Sequence, residues 1–266
     1  MALCLGKNDK YLYDVCVLKD YQGNGCKITI HRVMLNPAFE GEIFRSPKGT
    51  VNDEKLQENV IKARSRIFEL ALCNSWDYFT TFTIDKKKFN RYDLEAYHKS
   101  FSQWLRNYNK RFGLNIKYLT IPEQHKNGAW HEHGFIMGLP PDHLCLFDVQ
   151  KKKLPKYIRD KLLNGQQVFD FPAYRDKFGW VDFEPIRSRE AVSKYVTKYI
   201  SKDLASSVTA INAHLYYCSQ GLNRATEIKR GTMLADMIPD YENDYVKVKW
   251  YKTSENLDIL AARILD

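Results

Sequence analysis

The chain predicts an α+β fold: an antiparallel sheet of about five strands with flanking helices, in a split β-α-β arrangement of ferredoxin- or RRM-like type. Three observations predict it. Two long segments carry apolar residues at helical spacing, several short segments alternate or run β-branched and aromatic, and their order is helix, strand, helix, hairpin.

Residues 1–50 hold short apolar stretches, KITIHRVML among them, broken by Gly23, Gly25, Pro37, Gly41, Pro47 and Gly49, which predicts strands or irregular structure. Asn52 opens a helix: acids follow in the first turn, and Leu56, Val60, Ala63, Ile67, Leu70 and Leu72 recur on one face up to Asn74. Arg64 and Arg66 lie off that face. Tyr78 to Ile84, YFTTFTI, is a β-branched and aromatic run closed by Asp85 and three lysines, and reads as a strand. Leu94 to Phe112 reads as a helix with Tyr97, Phe101, Trp104, Leu105 and Tyr108 on one side and a stop at Gly113. Ile116 to Ile121 and His131 to Met137 form a hairpin turning at Lys126-Asn127-Gly128. Residues 139–180 read as connection, followed by a strand from Trp180 to Phe183, a helix from Glu190 to Leu204 and a late strand from Tyr245 to Tyr251. The expected organisation is an extension over 1–50, a core over 51–204, and an extension over 205–266 whose late strand packs on the core.

The 266 residues include 17 Tyr and 14 Phe with 44% apolar residues, which excludes a disordered chain, and no collagen or coiled-coil period is present. No apolar run approaches the roughly 18 residues that span a bilayer, and MALCLGKNDKYLYD lacks the regions of a secretory signal, so the expected location is the cytoplasm with no membrane partner. Six scattered cysteines without CxxC read as thiols, and a zinc site from Cys4, Cys16, Cys26 and His31 is set aside because its spacings fit no common module. The formal charge is +9, yet Thr232 to Asp266 holds seven acids against four bases, so the excess lies in the first 231 residues. A basic, aromatic-rich body suits a polyanion whose bases can stack. Neither GxxxxGKS nor GxxxxGKT occurs, so no nucleotide cofactor is expected.

His131 and His133 fall on one face of a strand, about 7 Å apart at the backbone, within reach of one cation. Glu123 ends the preceding strand, and the hairpin folds it back beside His131. Two imidazoles and a carboxylate leave coordination positions open, the pattern of a catalytic metal site, and an oxygen-rich phosphate substrate favours Mg²⁺ or Mn²⁺. On the helix from Glu190, Val192, Val196 and Ile200 form an apolar line, Lys194, Lys198 and Lys202 a basic line, with Tyr195 and Tyr199 between them. Adjacent ammonium groups and a metal can support a phenolate nucleophile.

The FTTFT of Phe79 to Thr83, Glu123 with His131-Glu132-His133, and Tyr195-Val196-Thr197-Lys198-Tyr199, in that order, resemble the three motifs of HUH endonucleases. More narrowly they are similar to rolling-circle replication initiators of phages and plasmids. The usual apolar middle residue is here Glu132, which should point away from the metal. The resemblance covers roughly Arg64 to Lys202 and implies a metal-dependent, site-specific single-strand DNA endonuclease and strand transferase. It implies Tyr195 as nucleophile forming a 5′-phosphotyrosine, Tyr199 as second nucleophile, Lys198 as a charge-stabilising helper, and Glu123, His131 and His133 as metal ligands. Arg64, Arg66, Thr81, Thr83, Arg187, Arg189, Lys194 and Lys202 are the expected DNA contacts. The implied partners are single-stranded DNA at a replication origin, in a hairpin, and a host helicase and polymerase. Two other readings stay open: a conjugative relaxase or transposase of the same superfamily, and a non-catalytic single-strand-binding module.

Overall fold

A computed structural model describes residues 9–41, 53–150, 154–188, 192, 195, 214–252 and 256–266. The chain divides into two units, one joining residues 1–50, 72–74 and 223–266 and the other joining 51–71 and 75–222.

In the unit built from the terminal segments, β1 (Tyr11–Asp20) and β2 (Cys26–Leu35) form a hairpin. Strand β10 (Thr226–Met233) pairs with β1, and β12 (Val246–Tyr251) pairs with β2. Two-residue strands, β11 (Tyr241–Glu242) and β13 (Ile264–Leu265), complete a six-stranded antiparallel sheet. Cys16, Leu18, Cys26 and Ile28 pack with Leu260 and Ile264 in its apolar core. Burial pushes the Cys16 thiol up to about 11, which suits an inert core thiol. His31 pairs with Val15 and so faces away from Cys16, in keeping with setting the zinc site aside. The two terminal extensions, expected as separate segments, share this one sheet. The late strand hydrogen-bonds to β2, because the extended N-terminal hairpin offers it an edge.

The second unit holds the core. Its elements are α1 (Asp53–Leu72), β3 (Tyr78–Thr83), α2 (Leu94–Phe112), β4 (Lys117–Gln124) and β5 (Trp130–Met137). They continue with β6 (Cys145–Leu146), α3 (Lys156–Leu163), β7 (Phe169–Asp170), α4 (Pro172–Lys177), β8 (Val181–Pro185) and β9 (Tyr217–Cys218). The antiparallel sheet runs β6-β7-β8-β3-β5-β4-β9, seven strands rather than about five, because three edge strands are only two residues long. Strands β3 and β4 both run antiparallel to β5, which lies between them, and α2 makes the crossover. This is the split β-α-β arrangement. Strand β9 pairs with β4, so part of the 205–266 segment belongs to the core. The stretch 139–180, read as connection, contains α3 and α4, too short to show a period.

Helix α2 starts where Asp93 accepts from the Ala96 N–H at 2.9 Å and stops at Gly113 in the left-handed region. It buries Tyr97, His98, Phe101 and Leu105 on one sheet face, against Phe82, Tyr118, Ile136, Tyr174 and Phe183. On the opposite face, Val60, Ala63, Ile67 and Leu70 of α1 pack with Leu119, Ile121, Phe135 and Val192. Gly134 in β5 is required by close approach, since a Cβ there would lie 2.0 Å from the Leu119 carbonyl oxygen. Among the described residues no helix is long and apolar enough to cross a membrane.

Glu132 points to the α2 face, as alternation predicts, and is fully buried. His98 Nδ1 lies 2.8 Å from its Oε1, and Thr120 Oγ1 donates to its Oε2 at 2.8 Å. The opposite nitrogen of His98 meets the Tyr118 hydroxyl at 3.0 Å. A buried carboxylate is tolerated only when so partnered, and removing it strands the groups left behind. Glu132→Ala should destabilise the protein by about 3 kcal/mol or more in urea denaturation, whereas a loss under about 1 kcal/mol would show that this network contributes little.

Candidate metal centre and catalytic face

Strand alternation sorts the side chains of the central strands. Thr83 pairs with His131 and Thr81 with His133 across β3–β5, while Glu123 pairs with His131 across β4–β5. All five residues therefore share the sheet face opposite α2. The hairpin that aligns them closes where Gly128 donates to the His125 carbonyl at 2.8 Å, with Gly128 at φ 82 and the Asn127 side chain accepting from Ala129 N–H at 3.1 Å. This is the turn expected at Lys126-Asn127-Gly128.

Glu123, His131 and His133 each offer a ligand atom, and these atoms lie within 4.8 Å of one another. His133 Nε2 is 2.7 Å from Glu123 Oε2, and its Nδ1 is 3.3 Å from Thr81 Oγ1. His131 Nδ1 is 3.0 Å from His125 Nε2, the two rings meeting edge-on at 3.6 Å between centroids. Both Nδ1 atoms are thus engaged by neighbours outside the cluster, which assigns the ligating role to Nε2 of each ring. Partners of this kind fix the tautomer and orientation of a ligating imidazole.

The electrostatics suit a cation. Burial, followed by the neighbouring His133 and His125, pushes His131 down to about 4, so its ring is neutral at neutral pH. The hydrogen bond from His133 holds the Glu123 carboxyl below its usual range. One carboxylate and two neutral imidazoles form a borderline donor set that fits Mn²⁺ or Mg²⁺.

Tyr195 is a helical residue on the same face, with its ring stacked on Phe79 at 4.4 Å and 5.3 Å from Phe135. Its hydroxyl is 3.5 Å from the Thr80 carbonyl oxygen. Tyr199, Lys198, Lys194, Lys202 and Arg189 lie outside the described residues. Arg187 is exposed just beyond β8. Of the two arginines on α1, Arg66 is paired with Glu69 at 2.9 Å, and Arg64 is half-buried. Thr81 and Thr83, expected as DNA contacts, lie beside the histidines, and Thr81 hydrogen-bonds one of them.

Sequence reasoning missed His125. The signal was present, since the same turn that folds Glu123 back onto His131 also places His125 next to it.

Residues 77–204, just under half of the chain, match a family model of replication-associated proteins, the ORF2 family. The match supports a replication-associated protein of Rep type. It takes in β3, the Glu123, His131 and His133 cluster, and Tyr195. No curated protein and no solved structure matches the chain.

Thr81→Val and His125→Ala should each weaken Mn²⁺ binding by about tenfold in calorimetric titration while leaving the circular dichroism spectrum intact. Unchanged affinity would show that the Nδ1 contacts do not orient the ligands. His131 in the folded chain takes up its proton near 4, against 6.5 in the unfolded chain. Within that window the unfolded state binds more protons, so stability falls as pH drops through it and is fully present above it. His131→Ala should flatten this fall in a pH series of melting temperatures.

Proposed function

We propose that the chain is a cation-dependent, site-specific single-strand DNA nickase and strand transferase that initiates rolling-circle replication. The observation that carries this reading is the convergence of Glu123, His131 and His133 on one sheet face with Tyr195, inside the segment that matches a replication-associated family.

When bound by Glu123, His131 and His133, Mn²⁺ or Mg²⁺ supplies charge that polarises the scissile phosphate. The chain's own residues do the rest. Tyr195 gives up its phenolic proton and its oxygen attacks phosphorus, forming a 5′-phosphotyrosine as the bond to the 3′-oxygen breaks and that oxygen takes up a proton. The phosphodiester energy is conserved in the tyrosine link, so rejoining needs no ATP. Lys198, three residues on, stabilises charge on the transferring phosphoryl group. Tyr199 is the second nucleophile that ends the round without releasing the strand. Thr81 and His125 hold the imidazoles in place. The free 3′-OH is then extended by a host polymerase behind a host helicase, at an origin presented as a single-stranded hairpin. Arg187, Arg189, Lys194 and Lys202 give this segment of the chain a positive charge that suits the phosphate backbone.

Incubation with single-stranded DNA of the parent replicon should yield a denaturation-resistant adduct that Tyr195→Phe abolishes and Tyr199→Phe retains while impairing strand transfer. An adduct persisting in Tyr195→Phe would reassign the nucleophile. EDTA should block cleavage and added Mn²⁺ restore it; nicking that ignores EDTA would remove the cation from the mechanism, and a gel shift without any adduct would favour a binding module instead.

A further inference from the structure

A cavity of about 920 Å³ opens beside the metal ligands, at the far end of the face from Tyr195. Thr83, Glu123 and His131 form the wall shared with the cluster; Arg91, Lys126 and Trp130 line it beyond the cluster. It lies between two loops, the β4–β5 turn and the segment from Asp85 to Tyr92 that precedes α2. These are joined where Trp130 N–H donates to the Arg91 carbonyl at 2.9 Å.

Its chemistry is that of a nucleotide site. Among its described lining residues the only carboxylate is Glu123, already one of the cluster, so Arg91 and Lys126 leave the rest of the wall cationic. Lys86 and Lys87 add exposed charge on the loop that carries Arg91. Arg91 donates from one terminal nitrogen to the Tyr92 hydroxyl at 3.2 Å, yet its buried Nε has no hydrogen-bond partner among the described residues. A buried guanidinium donor without an acceptor is costly, and a phosphate oxygen satisfies it. The half-buried Trp130 ring supplies a stacking surface, and the volume falls in the range of ligand pockets.

Position on the sheet assigns the polarity. Tyr195 stacks over Phe79, and Thr83 at the cavity lies four residues further along β3, about 13 Å away. The Glu123, His131 and His133 cluster adjoins the cavity at this second end. In phosphoryl transfer the attacking and leaving oxygens stand roughly in line across phosphorus. A phenol approaching from the Phe79 end therefore expels the 3′-oxygen toward the cavity. We propose that the cavity holds the nucleotide on the 5′ side of the scissile phosphate, the one whose 3′-oxygen leaves, with Arg91 and Lys126 on its phosphates and Trp130 against its base. This rests on the nickase reading and adds to it a polarity and a binding site.

The test uses the full chain, Mn²⁺ and two fluorescent oligothymidylates, one with a 3′-phosphate that imitates the 5′-side product with its scissile phosphate, the other with a 5′-phosphate that imitates the other side. Arg91→Ala and Lys126→Ala should each weaken binding of the 3′-phosphorylated probe by about tenfold and lower its slope of log affinity against log salt by about 0.7, the loss of one phosphate contact. The 5′-phosphorylated probe should bind both variants as it binds the parent chain. A loss confined to the 5′-phosphorylated probe would overturn the polarity, and two unaffected probes would overturn the site. Mn²⁺ titration of the same variants, expected at the parent value, separates these results from a damaged metal centre. Failure of the nickase reading has a different signature: no tyrosine adduct, with Arg91-dependent binding of the 3′-phosphorylated probe still present.

Discussion

Strand β5 is paired on both sides, and its register against β3 and β4 decides which chemistry faces which way. Because side chains alternate, a slip of one residue would carry His131 and His133 into the α2 core and bring Glu132 to the open face. Several features resist that slip. Glu132 is held by His98 and Thr120, Gly134 admits the Leu119 carbonyl where any Cβ would collide, and the turn at Gly128 sets the hairpin length. The metal ligands are therefore positioned by interactions made largely on the other side of the sheet from the site they serve.

The open face is itself graded. At one end α1 covers Phe135 and Leu119, and Tyr195 lies flat on Phe79. Toward the other end the residues become threonine, histidine and glutamate, and then give way to basic loops. An aromatic ring needs a dry, close-packed seat to be held still, whereas a phosphate needs cations and open water-filled space. Placing these along one pair of strands lets a single rigid sheet hold both, with His131 kept neutral by burial between them.

Much of this was legible in the sequence where the determinants are local. Helix α2 follows from its apolar stripe, Asp93 and Gly113, and its bounds match the reading. The cluster follows from alternation and an Asn-Gly turn, which also sends Glu132 inward. What stayed hidden depends on distant partners. Nothing in the spacing around Glu132 names His98, which arrives on a helix 34 residues earlier in the chain. Arg91 meets the β4–β5 turn only because the loop before α2 folds beside it. The terminal sheet was hidden for the same reason: Val17 pairs with Arg230 and Thr29 with Val248, contacts that no local pattern encodes. The two-residue strands and short helices of 139–180 carry too few residues for any period to emerge.

The pairing of β1 with β10 also orders events during synthesis. The β1–β2 hairpin leaves the ribosome first, yet its partners β10 and β12 follow only after the whole second unit has been made. At about 5–20 residues per second the wait is roughly 10–40 s, far longer than a core with local helix and hairpin contacts needs to fold. The terminal sheet can close only once that intervening segment is complete, and a chain interrupted within it leaves both edges of the hairpin without strands to pair with.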